Sequence, residues 1–215
     1  MASNKNIFSK VLYGESEEEG FLNQTARYIS NIFSPPLTVL YGILIVTPYI
    51  EISSRWVWSL FFLSLFVLPP TLYVYLLMKR GIVTDFHIKI REQRLKPMML
   101  ILANTIFGII AYYRLGGPKY LIVLSVCCLV LVALMFLFTF FSKVSGHCAA
   151  AGGLVTVFLS LFEFNGSLVI PIALMIPLIA WSRVRLGRHS ITQTLVGFML
   201  GITTFGSIMY FSNLI

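Results

Sequence analysis

Residues 119–142 read KYLIVLSVCCLVLVALMFLFTFFS, a run whose one charged residue, Lys119, stands at its first position. At a rise of about 1.5 Å per residue, roughly 20 apolar residues in a helix cross the hydrocarbon core of a bilayer, so this run reads as a transmembrane helix. Stretches of similar character recur on both sides of it, at 34–51, 57–78, 97–114, 147–163, 167–182 and 190–212, which makes seven candidate spans. The chain of 215 residues is 58% hydrophobic and only 11% charged, against about a quarter charged in soluble domains. That excludes a soluble globular protein, and the repetition excludes a single anchored domain. The fold class that remains is all-α, a polytopic transmembrane helical bundle.

The fifth and sixth spans are separated only by a short polar break at Glu163, Asn165 and Gly166, which suits a tight interhelical turn. Prolines within the spans, Pro69-Pro70, Pro171 and Pro177, are expected to kink them, which a bundle tolerates because neighbouring helices satisfy the freed carbonyls. The chain divides into a polar or amphipathic segment, residues 1–33, and a membrane-embedded domain, residues 34–215. The first segment carries Glu17, Glu18 and Glu19 and lacks the pattern of a cleaved secretion signal, so the first span is expected to be retained. Within it Phe21, Ala26, Ile29 and Phe33 fall roughly on one helical face, as in an interfacial helix; a plain lead-in to the first span accounts for them equally well. Cys127, Cys128 and Cys148 lie in or beside apolar spans without metal-site spacing and are expected as small core residues.

A formal charge of +8 suggests nucleic acid or anionic lipid as a partner, but the distribution of the charge is narrower in meaning. If the chain crosses at every span, the N-terminal segment and the loops after spans two, four and six share one side. They hold 13 of the 16 Lys and Arg residues, leaving Arg55, Arg114 and Lys119 for the other side. Cytoplasmic loops collect Lys and Arg, so the N-terminus and the crowded side are expected in the cytoplasm, in a cell inner or plasma membrane. Membrane lipid is the expected surrounding partner and nucleic acid is not.

The positive-inside bias does not explain the spacing within the three loops. In the first, Lys89 and Lys96 lie seven residues apart and share a helical face that Arg91 and Arg94 flank, and Pro97 suits the first turn of the third span. Basic runs of this kind also simply meet lipid headgroups. In the second, Ser145-Gly146 precede His147 at a span start. Glycine lets backbone N–H groups approach an anion, the helix N-terminus favours negative charge and the hydroxyl adds a donor, with His147 beside the phosphate as a proton donor. An interfacial histidine capped by its neighbours is the plainer reading. In the third, Ser182-Arg183 are followed by His189 and then Gln193. Arginine offers a planar fork to phosphate oxygens. His189 and Gln193, at i and i+4 of one helix, are placed to touch, so that the amide oxygen orients one ring nitrogen and aims the other at phosphorus.

These three loops resemble the signature motifs of the type 2 phosphatidic acid phosphatase superfamily, Lys-x6-Arg-Pro, Pro-Ser-Gly-His and Ser-Arg-x5-His-x3-Asp. Here they stand as Lys89-x6-Lys96-Pro97, Val144-Ser145-Gly146-His147 and Ser182-Arg183-x5-His189-x3-Gln193. Order, spacing and membrane side agree with an integral-membrane member of that superfamily. The resemblance implies a six-helix phosphatase-type core, His189 as the nucleophile that forms a phosphohistidine, and His147 as the acid that protonates the leaving oxygen. It further implies Lys89, Arg94, Lys96, Ser145, Gly146 and Arg183 as phosphate-binding groups, with no metal and no cofactor. The implied substrate is a lipid phosphomonoester or diphosphate, of the phosphatidic acid, phosphatidylglycerophosphate or polyprenyl diphosphate class.

Three positions depart from the pattern. Lys96 replaces an arginine, with Arg94 and Arg91 near enough to substitute; Val144 replaces a proline; and Gln193 replaces the aspartate that would orient the nucleophile and balance its positive form. The last departure supports an alternative function, a catalytically impaired member that binds anionic lipid as a scaffold or transporter-like module. A general transporter would instead carry charges at the midplane of broken spans. Gly197 and Gly201, four residues apart, can pack helices within one chain or between chains, so the oligomeric state is open.

Overall fold

The computed structural model describes residues 17–83, 88, 92–162 and 166–214, and among them all regular structure is helical. The helices are α1 (Glu17–Ile32), α2 (Pro35–Val46), α3 (Arg55–Phe62), α4 (Leu68–Lys79), α5 (Leu95–Arg114), α6 (Lys119–Thr139), α7 (Gly146–Phe162), α8 (Gly166–Arg185) and α9 (Ile191–Phe211). All seven expected spans are helical, with ends shifted by a few residues. Among the described residues four elements are long and apolar enough to cross a membrane, Arg55–Lys79, Leu95–Arg114, Lys119–Thr139 and Ile191–Phe211, and α1 with α2 makes a fifth if that bent pair counts as one span. Seven is therefore a count of helical segments, fewer of which are long enough to cross a bilayer alone. The segment Gly146–Phe162 is apolar but has only 17 residues, and α8 closes in the polar residues Ser182, Arg183 and Arg185. The break between these two helices, at 163–165, lies outside the described residues.

Each bend has a local cause. Between α1 and α2 the axis turns by 50°. Pro35 and Pro36 supply no N–H to continue α1, and Ser34, preceding a proline, is driven to an extended backbone at φ −64° and ψ 148°. The expected kink at Pro69-Pro70 takes the form of a π-helical turn, Leu63–Val67, joining α3 to α4. Pro69 cannot donate to the carbonyl of Leu65 four residues back, and the Asn104 side-chain amide of α5 donates to that oxygen instead, at 2.8 Å. Around Pro171 and Pro177 α8 remains helical.

The tightest helix pair is α7 against α9. A Cβ at Gly152 would strike the Phe198 carbonyl, one at Gly201 would lie 2.8 Å from the Gly153 nitrogen, and one at Gly197 would lie 2.5 Å from the Ser145 oxygen. The Gly197/Gly201 pair thus packs helices within this chain. Toward α6 the core is filled by Leu121, Leu124, Cys127, Leu131, Phe205 and Met209. Cys127 and Cys148 are buried and Cys128 is half-buried, all as free thiols. Leu60, Phe107, Leu137, Leu195 and Met199 are among many large apolar side chains left exposed, as lipid-facing positions require. The chain is a membrane protein.

The first helix differs from its expected form. Phe21 is 67% exposed while Ala26 and Ser30 are buried, so the docked face of α1 carries the small residues Ala26 and Ser30 and not the row containing Phe21. Small residues let two backbones approach closely, and α1 lies against α8, where Arg185 Nε donates to Asn23 Oδ1 at 3.0 Å.

Candidate active site

The third motif is a helix end followed at once by a helix start. Gly187, at φ +61°, takes the left-handed conformation that terminates α8. The N–H groups of Arg188 and His189 then fold back on the Arg183 carbonyl at 3.0 and 3.3 Å. Ser190 opens α9 as its N-cap. Its Oγ accepts from the Gln193 N–H and the Gln193 Oε1 accepts from the Ser190 N–H, each at 3.2 Å, a reciprocal capping box. His189 therefore precedes α9, and the expected i, i+4 pairing of His189 with Gln193 does not arise. The Gln193 side chain belongs to the helix cap.

The partner of His189 is a main-chain oxygen. Its Nδ1 lies 2.9 Å from the Lys143 carbonyl, and since a carbonyl only accepts, Nδ1 carries the proton and Nε2 keeps the lone pair. His189 is 7% exposed. Burial foremost, then the charges of Arg94, Arg183 and Lys143, push its pKa down from 6.5 to about 3, while the bond to the Lys143 carbonyl opposes the shift. The imidazole is neutral at pH 7.

The second motif is bound to the third through backbone. The Ser145 N–H donates to the Gln193 carbonyl at 3.2 Å, and Gly197, one turn further along α9, presses directly on the Ser145 oxygen. Ser145 is fully buried, with its Oγ accepting from the Cys148 N–H at 3.5 Å. It caps α7 and does not face the cavity as a phosphate donor would. Gly146 and His147, in the first turn of α7, do border the cavity. His147 is buried and its Nε2 donates to the Ser30 carbonyl of α1 at 3.1 Å.

Two arginines complete the group. Arg183 is 1% exposed, and one guanidinium nitrogen donates to the Ser30 hydroxyl. Arg94 donates to the Ile88 carbonyl at 2.9 Å and to the Val144 carbonyl at 3.2 Å, tying the first motif loop to the second. Lys96 is not part of this assembly. It is exposed beside Gln93, Leu77, Ile82 and Val83 in a separate surface recess. Arg94 and Lys96 stand about 200° apart on the helix entering α5, so only one of them can face inward, and it is the arginine. Lys89 and Arg91 lie outside the described residues.

Arg94, Gly146, His147, Arg183 and His189 all line one cavity of about 340 Å³, a volume typical of ligand sites. Its other walls are apolar except for Thr38, Thr71 and Thr105 and come from α2 through α7 and α9, among them Ile43, Phe62, Leu131 and Phe205. Phe205 stands fourteen residues into α9, so the cavity reaches roughly 20 Å along the bundle from its cationic end. Cationic groups and a helix N-terminus at one end of a long greasy space fit an amphiphile with an anionic head. Among the described residues no three His, Cys, Asp or Glu side chains converge on one point as metal ligands would. Ser30, the Lys143 carbonyl and Gly197 escaped the sequence reading as parts of this site. Of these only Ser30 left a trace, the Ala26-x3-Ser30-x3-Ser34 spacing of small residues.

The family model of the PAP2 superfamily matches residues 38–214. No curated protein and no solved structure matches the chain.

Proposed function

This chain belongs to the PAP2 superfamily, and from that membership we propose that it is a membrane phosphatase that hydrolyses a lipid phosphomonoester or diphosphate through a phosphohistidine. Phosphatase or phosphoesterase chemistry on lipid-type substrates is what the family implies. The observation that carries the finer reading is the cavity, with His189, His147, Arg94 and Arg183 at one end and roughly 20 Å of apolar wall beyond them. The phosphoryl group sits among the arginines and the α7 N-terminus, and the hydrocarbon tail occupies the apolar length.

In the first step the His189 Nε2 lone pair attacks phosphorus. The bond from phosphorus to the leaving oxygen breaks, and that oxygen takes the Nδ1 proton of a His147 that enters the step doubly protonated, its Nε2–H staying with the Ser30 carbonyl. In the second step His147 draws a proton from water as the water oxygen bonds to phosphorus, and the phosphorus–nitrogen bond breaks to restore His189. A nucleophile that is neutral at pH 7 and held as the Nδ1–H tautomer is prepared for this attack without a proton transfer of its own. Arg94 and Arg183 meet the charge that accumulates on the equatorial phosphoryl oxygens. They also disfavour a positive ring on His189, a cost that the bound phosphoryl anion offsets.

One observation favours the second reading, an impaired member that binds anionic lipid. The group on Nδ1 is a neutral carbonyl, which orients the ring but supplies no negative charge to the imidazolium-like intermediate. Phosphate release by the purified protein in detergent, measured on phosphatidic acid, phosphatidylglycerophosphate and a polyprenyl diphosphate beside the His189→Ala variant, separates the two. Release that the variant lacks supports the phosphatase and ranks its substrates; no release from any lipid supports the binding module. We further propose that the site faces the cytoplasm, which labelling of a cysteine placed at the exposed Arg80 in intact cells contradicts if the reagent reaches it from outside.

A further inference from the structure

We propose that α1, which lies before the family-matched residues 38–214, is a working part of the active site, and that Ser30 is a positioning residue for both His147 and Arg183. This inference rests on the phosphatase reading for what those two residues do.

Ser30 is 2% exposed and both of its oxygens are engaged by site residues. Its hydroxyl oxygen accepts from Arg183, and its carbonyl accepts from His147 Nε2 at 3.1 Å. The carbonyl is available for a definite reason. In a continuing helix it would accept from the Ser34 N–H, but α1 ends at Ile32, the Ser34 N–H turns to the Asn31 carbonyl at 3.2 Å, and Pro35 has no N–H. The bend that separates α1 from α2 thus leaves an unpaired main-chain acceptor facing the site, and His147 takes it.

One residue consequently controls two features of the chemistry. Holding the proton on His147 Nε2 makes Nδ1 the nitrogen that exchanges protons with substrate. Anchoring one arm of the Arg183 guanidinium limits how its planar fork is presented to the phosphoryl oxygens, and a fork held in place loses less freedom on binding. Docking of α1 on α8, with Ala26 fully buried and Asn23 bonded to Arg185, keeps Ser30 in register.

The test compares wild-type, Ser30→Ala and Ser30→Thr proteins in detergent by two readouts: the thermal shift produced by inorganic phosphate, and kcat/KM for lipid phosphate release. Ser30→Ala removes the acceptor for Arg183 and keeps the carbonyl, so the phosphate concentration giving half the shift rises, and kcat/KM falls, by about 10- to 100-fold, the usual weight of a hydrogen bond to a charged group. Ser30→Thr keeps the hydroxyl and restores both. Equal values for wild-type and Ser30→Ala in an active enzyme overturn the role of Ser30 and leave the phosphatase intact, as does a loss in Ser30→Ala that threonine does not rescue. A wild-type protein that binds phosphate in a Ser30-dependent way without releasing it from any lipid overturns the phosphatase and leaves Ser30 as a positioning residue. One that neither binds nor releases phosphate overturns both.

Discussion

Replacing Gly197 with alanine tests whether the contact between α7 and α9 sets the distance between His147 and His189, the histidines proposed to act on the phosphoryl group. The added Cβ would lie 2.5 Å from the Ser145 oxygen, where ordinary contact begins at 3.4 Å. Ser145 must therefore retreat by about 0.9 Å, the difference of those two distances. Its N–H bond to the Gln193 carbonyl, 3.2 Å long, lengthens beyond hydrogen-bonding range if that motion is directed away from α9. His147 is two residues further on and moves with it, while the His189 main chain stays anchored to the Arg183 carbonyl and its ring bond to the Lys143 carbonyl, two residues before Ser145, is strained as well. Overpacking of this kind costs about 1–3 kcal/mol in stability, and a displacement near 1 Å between reacting groups costs on the order of 100-fold in rate. The expected result is a kcat/KM lowered by about 10- to 100-fold with a protein that still folds. Gly206→Ala is the control on the same helix: its Cβ would meet only Thr156 Cγ2 at 3.9 Å, and its activity is expected to match wild type. Lipid phosphate release and thermal unfolding of the three proteins decide the matter. Full activity in Gly197→Ala refutes the spacing argument, and equal losses in both variants would trace the effect to helix backbone preference instead.

Two further outcomes follow from the site. Arg94→Ala is expected to lower kcat/KM by at least 10-fold, as loss of a charged hydrogen bond to phosphate does, whereas Lys96→Ala changes it less than threefold; a reversal would return the phosphate contact to the lysine. On acidification, kcat/KM corrected for substrate ionisation is expected to pass through pH 6.5 without loss and to fall only toward pH 3, because the folded pKa of His189 is about 3. The sign for stability is opposite to that of a histidine paired with an acid. The unfolded chain takes up this proton near pH 6.5 and the folded chain near 3, so stability is highest above 6.5 and declines between the two values. His189→Ala removes that part of the decline in thermal midpoint against pH, and an acid limb at 6.5 in the wild type would contradict the buried, cation-surrounded imidazole.

The replacement of aspartate by glutamine at 193 acquires a structural meaning. A glutamine at the third position of α9 reaches back to the Ser190 N–H and closes a capping box, which stabilises the start of the helix that follows His189. The Lys143 carbonyl orients the imidazole in its stead. Orientation and tautomer are retained by main chain, and what is absent is the counter-charge, so under the proposed mechanism the consequence of the substitution falls on the charged intermediate and not on the geometry of attack.

Composition and periodicity set the class of the fold and the order of the helices, because apolar runs of membrane length have few alternatives in which every backbone group is satisfied. The sequence also located Arg183, His147 and His189, whose spacing reflects local structure: a glycine that ends α8, two residues, and a serine that begins α9. Which groups touch was decided only in three dimensions. Arg94 faces inward and Lys96 outward because of the rotation at which α5 begins, which the local sequence does not set. Gln193 turned to the cap because His189 stands outside the helix that periodicity assigned to both. Ser30 and the Lys143 carbonyl became site groups through contacts 117 and 46 residues away in the chain, and main-chain acceptors carry no residue-type signature. Hydrophobic length is written locally and survives in a linear reading, whereas the direction of a side chain and the availability of a carbonyl depend on where distant helices end.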